Sequence, residues 1–144
     1  MQASPGSGDP ALAAGELEEN LNHDPVAAFV EAIKRGAVGE LAALMSEDHR
    51  FIDSMGNKVV GRATMMGGWT TYLEMFPGFR NTVNRRFDAG NRVALFGHTH
   101  ATHAASGRVV RMRAAWLILV RNAQVAEWCV FGENEPARAA IEGR

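Results

Sequence analysis

The chain has 144 residues, 47% of them hydrophobic and 22% charged, with a formal net charge of -1 at pH 7. That length supports one core rather than two, and a near-neutral balance without a long basic run excludes the footprint of a nucleic-acid binder or a polybasic membrane patch. No apolar stretch nears the roughly 20 residues that span a bilayer. The single cysteine, Cys129, excludes an intrachain disulfide, and no Cys/His spacing fits a structural zinc site; a reducing, cytoplasmic setting suits this composition.

Residues 1–10 combine Ser, Gly and Pro with little apolar content, and 1–22 as a whole read as a disordered or weakly helical leader. Asp24-Pro25 is a helix start, with Asp as N-cap and Pro at the first helical position, and Val26, Phe29, Val30 and Ile33 give an apolar face. The spacing predicts a helix to Arg35, stopped by Gly36, then a shorter helix over 38–45 and a turn at Ser46-Glu47-Asp48. A strand is expected over 49–53, where alternation puts Phe51 and Asp53 on one face. Met55-Gly56-Asn57 turns the chain into a second short strand, Lys58-Val59-Val60, ended by Gly61. From Arg62 to Met75, Met65, Met66, Trp69 and Leu73 recur at helical spacing, and Pro77-Gly78 ends the helix. Gly67-Gly68 inside it costs about 1 kcal/mol per glycine relative to alanine, for which close packing against the sheet is the expected compensation. Strand patterns follow near 79–88, 92–104, 108–121 and 124–131. The domain is therefore drawn over 23–136, with 137–144 as a tail. Its end, Ile141-Glu142-Gly143-Arg144, has the form of a protease recognition sequence, which leaves its native origin open.

An ionised carboxylate buried without a partner costs several kcal/mol, so Asp53 on the Phe51 face has two readings. It is a general base or acid in an apolar pocket, or a turn cap bonded to the backbone of Ser54 or Gly56. Tyr72 is the only phenolic donor in the chain. Trp116 and Trp128 stand on successive strands with Ala114 and Ile118, and with Ala126 and Val130, at even spacing; they wall a pocket or fill a core. Gly97, Thr99 and Ala101 share one face of the neighbouring strand and leave room beside those indoles.

The element order, with Asp24-Pro25 opening helix one, Gly36 closing it, Phe51-Ile52-Asp53 in the first strand and Gly61-Arg62 opening helix three, resembles the SnoaL-like branch of the nuclear transport factor 2-like superfamily over about residues 24–135. The resemblance implies an α+β, cystatin-like cone: a strongly curved antiparallel sheet wraps three helices and leaves an apolar pocket open at one end. It also implies a homodimer through the convex sheet. The superfamily hosts ketosteroid isomerases, polyketide cyclases, epoxide hydrolases and plain binding domains, so fold alone selects no activity. Asp53 falls where the isomerases carry their proton-shuttling aspartate. The tyrosine and protonated aspartate of their oxyanion hole fall at Phe29 and Trp116, and a supporting tyrosine falls at Trp69.

By the same count, His98 and His100 point to the convex face with Arg111 and Arg113, and only His103 shares the pocket face, as a polar contact near the mouth. A histidine pair without a third ligand of fixed spacing argues against a metal site, and no cofactor is expected. Glu127 and Cys129 fall opposite Trp128 and read as structural. The reading that results is a protein acting on an apolar polyketide-, steroid- or terpenoid-like molecule. Its pocket is lined by Phe29, Phe51, Trp69, Tyr72, Thr99, His103, Trp116 and Trp128, and Asp53 serves isomerisation or cyclisation. The alternative is a noncatalytic ligand-binding or protein-interaction domain of the same fold.

Overall fold

Asp24 accepts a hydrogen bond from the Ala27 amide at 3.2 Å and Pro25 takes the first helical position, which fixes the start of α1, Pro25–Arg35. Gly36 closes it in the left-handed region (φ 66°), and the Ala37 amide reaches back to the Ala32 carbonyl at 2.9 Å. α1 buries Val26, Phe29, Ala32 and Ile33; α2, Val38–Leu44, adds Leu41 and Ala42. The computed structural model describes residues 24–144; the expected leader over 1–22 lies outside the described residues.

β1 runs Met45–Ile52, so the turn expected at Ser46-Glu47-Asp48 is strand. The polar triplet looks like a turn in sequence, but Met45 pairs with Val125 of β6, Gln124–Gly132, and that pairing overrides local preference. β2, Lys58–Val60, forms a hairpin with β1 in which Phe51 faces Val59. α3, Arg62–Met75, buries Met65 and Trp69. β3, Arg80–Ala89, β4, Arg92–Thr102, and β5, Val109–Arg121, complete a sheet of order β2-β1-β6-β5-β4-β3. β1 pairs with β6 in parallel, and every other pair is antiparallel. The result is the expected α+β arrangement, a curved, unclosed sheet around helices.

Curvature has a local cause at Gly97. The register of β3 against β4 slips between Val83 and Arg85, and a Cβ at Gly97 would lie 1.8 Å from the Thr82 carbonyl oxygen, so only glycine admits this approach. The Gly67-Gly68 pair has a different role from the one expected. A Cβ at Gly67 would meet nothing within 4 Å and one at Gly68 only Met65, so neither marks a close approach to the sheet. Gly68 instead borders open cavity.

After β6, α4 spans Glu135–Glu142 and crosses the boundary drawn at residue 136. It is anchored by Ala137 and Ala140, both buried. Alanines carry little hydrophobic signal, which is why the periodicity of this segment escapes a reading of the sequence. No helix among the described residues is long and apolar enough to cross a membrane.

Candidate functional site

The sheet turns one side chain of every second residue toward the helices, and those side chains meet α3 and α4 around a cavity of ≈ 370 Å³. Its volume lies at the small end of the range for small-molecule sites. β1 contributes Phe51 and β2 Val59; β5 contributes Met112, Ala114 and Trp116; β6 contributes Trp128 and Val130. α3 supplies Met65, Gly68, Trp69 and Tyr72 along its inner face. Ala137, Arg138 and Ile141 of α4 border the other side. Besides the Tyr72 hydroxyl and the indole N–H groups, polar groups are confined to Asn81 and Thr99 on one wall and to a rim of Asp53, Ser54, Glu133, Asn134 and Arg138.

Of the eight residues expected to line the pocket, six border this cavity: Phe51, Trp69, Tyr72, Thr99, Trp116 and Trp128. Two do not. Phe29 is fully buried behind the wall, stacked on Trp128 with ring centroids 4.6 Å apart, because the indole stands between α1 and the open space. His103 lies past the end of β4, where its Nδ1 meets the Ser106 hydroxyl at 2.7 Å and its ring packs on Phe76. The strand ends one residue too early for alternation to carry His103 to the cavity.

Asp53 borders the cavity, and its carboxylate also organises its own turn. Oδ1 accepts from the amides of Met55 and Asn57, both at 2.9 Å, and Oδ2 accepts from the Asn57 side chain at 3.1 Å. The turn partners are thus Met55 and Asn57 rather than Ser54 or Gly56. The other rim carboxylate, Glu133, is paired with Arg113 at 3.2 Å, which holds its pKa below the usual carboxylate range. Burial alone pushes the Tyr72 phenol up to about 12.

Residues 26–128 match the family described as SnoaL-like domain. The chain belongs to that family. Solved structures similar to this SnoaL-like domain share its fold at low identity. A candidate SnoaL-like polyketide cyclase from Jannaschia sp. CCS1 is 17% identical with a TM-score of 0.75, over 87% of this chain and 94% of that one. IdmH, a candidate polyketide cyclase from Streptomyces antibioticus, is 21% identical with a TM-score of 0.70, over 84% and 98%. A protein of ketosteroid isomerase-like fold from Catenulispora acidiphila, in complex with trimethylamine, is 17% identical with a TM-score of 0.69, over 75% and 84%. No protein of curated function matches the chain.

Several features of this SnoaL-like domain escaped the sequence reading. Asn81 follows Phe79 at a spacing of two, a signal that alternation offers once Phe79 is known to face inward. His49 shares the parity of Phe51 and is fully buried, its Nδ1 donating to the Val125 carbonyl at 2.7 Å. His98 and His100, which alternation already sets beside Arg111 and Arg113, pair with Arg113 and Arg111 across β4 and β5. Among the described residues no three His, Cys, Asp or Glu side chains gather to hold a metal ion. Glu127 is bonded to Arg50, and burial pushes the Cys129 thiol up.

Proposed function

We propose that this SnoaL-like domain binds an apolar small molecule with an aromatic or polycyclic body. The observation that carries the proposal is the cavity wall: all three tryptophans of the chain border one space of ≈ 370 Å³, beside Phe51, Phe79 and Tyr72. Large aromatic surfaces around a preformed space favour a flat apolar partner. Because every indole is at the wall, intrinsic fluorescence reports occupancy. Titration with two- to four-ring aromatic and alicyclic compounds is expected to give saturable quenching with a matching rise in melting temperature. A panel that produces neither would remove the proposal.

A second reading adds chemistry: Asp53 transfers a proton during isomerisation or cyclisation of a polyketide-, steroid- or terpenoid-like ligand. It is favoured by the rim, where Glu133 is tied to Arg113 while Asp53 forms no ion pair among the described residues. Similar folds described as candidate polyketide cyclases support the substrate class. Asp53→Asn keeps an acceptor for the turn and removes the titrating group. A ligand found to turn over is expected to bind this variant normally and react at least about a hundredfold more slowly; equal turnover would leave only the binding role. The proposal needs no metal or cofactor and includes a homodimer through the convex sheet. It also includes a cytoplasmic location, supported by a lone, unpaired cysteine.

A further inference from the structure

Apart from the unpartnered Trp69 Nε1–H, the polar groups of the inner wall gather where the start of β3 meets β4. There Thr99, itself buried, donates through Oγ1 to Oδ1 of Asn81, its register partner on β3, at 2.9 Å. With its carbonyl engaged, the Asn81 amide keeps two N–H donors with no partner among the described residues, and both residues line the cavity. Tyr72 lines the same cavity from α3. Its ring is held by Phe76, centroids 4.9 Å apart, and edge-on by Phe79 at 5.1 Å. Phe79, on which the Tyr72 ring packs, stands two residues before Asn81, and all three line the cavity. Desolvation is the sole influence on the phenol, with no hydrogen-bond partner among the described residues, and at about 12 it keeps its proton throughout the physiological range. Both groups are therefore neutral donors without an acceptor among the described residues.

We infer that Tyr72 and Asn81 form a two-donor clamp that selects, among the flat apolar ligands of the reading above on which this inference rests, those carrying a neutral carbonyl oxygen. A carbonyl has two lone pairs and can accept from both groups at once. An anionic head group does not suit this wall, because two neutral donors do not compensate a charge taken out of water and the cavity's one basic lining residue, Arg138, stands on α4.

The test compares acetylnaphthalene with isopropylnaphthalene, near-isosteric probes that differ in the carbonyl, by tryptophan quenching. The ketone is expected to bind the unmodified protein about tenfold more tightly, the combined worth of two neutral hydrogen bonds. Tyr72→Phe keeps the ring packing and should remove most of that preference while hydrocarbon affinity holds, which also shows that the variant is folded. Asn81→Asp keeps an acceptor for Thr99 but replaces the amide donors, and should abolish the preference. The infrared carbonyl stretch of the bound ketone should shift down in the unmodified protein and revert in Tyr72→Phe. Equal binding of the two probes, or a preference that survives both substitutions, overturns the clamp and leaves the cavity's binding role intact. Binding of neither overturns both.

Discussion

His49 is fully buried, donates Nδ1–H to the Val125 carbonyl, and has no partner for Nε2 among the described residues. Desolvation lowers its pKa below 6.5, against smaller opposing effects from the Val125 carbonyl and from Asp48 and Glu127. The native state therefore binds the second imidazole proton less readily than the unfolded chain. Above about pH 6.5 both states are neutral and the full stability is present. As pH falls through that value, the unfolded chain takes up a proton that the native state refuses, and stability declines until the folded pKa is passed. Urea unfolding between pH 5 and 8 is expected to show this decline, with a slope of at most about 1.4 kcal/mol per pH unit from this group. His49→Asn, which keeps a donor for Val125, should flatten it; an unchanged slope would assign the effect elsewhere, His100 included. Residue-scale legibility was mixed. Alternation along β1 ends at Ile52, so the place of Asp53 at the cavity rim and the turn its carboxylate caps depend on where Met55 and Asn57 put their amides.

At the scale of elements, Gly97 is the position where the sheet is most exacting. A β carbon there would collide with backbone, at 1.8 Å from the Thr82 oxygen and 2.9 Å from its carbonyl carbon, so no side-chain rotation relieves it. Gly97→Ala is expected to cost ~1 to 3 kcal/mol, the range for overpacking at a rigid site, and denaturant unfolding will measure it. A neutral outcome would mean that the bulge at Val83–Arg85 relaxes freely. α1 was legible end to end, because Asp24-Pro25 and Gly36 are cap signals whose chemistry is local. β1 was not, since the parallel partner that draws Met45 into the sheet lies some eighty residues away. α4 was missed because its anchor consists of two alanines.

Across the whole molecule, the convex face carries an apolar line that the helices do not cover. Phe96, Ala115 and Phe131 are in register across β4, β5 and β6, and Phe87 packs edge-on against Phe96 at 6.0 Å. Phe87, Phe96 and Phe131 are 52%, 44% and 51% exposed, flanked by His98 and His100 with Arg111 and Arg113. Contiguous exposed aromatics on a sheet mark an association surface. Sedimentation equilibrium at micromolar concentration is expected to give a dimer, and Phe96→Glu a monomer with unchanged ligand binding. A monomeric unmodified chain would count against the proposed homodimer.

The amino-acid sequence by itself determined the parts whose physics is local: helix caps, strand alternation, glycine turns, and the family that this order of elements resembles. Those signals sufficed for an α+β SnoaL-like domain and for most of the aromatic wall. Tertiary structure alone decided which aromatics face open space and which stand behind them, as Trp128 does in front of Phe29. It also paired Asn81 with Thr99, closed α4 over the rim and bent the sheet at Gly97. The reason is that a cavity is a difference between packed surfaces. Its shape depends on the relative placement of elements far apart in sequence, and no single segment encodes that placement.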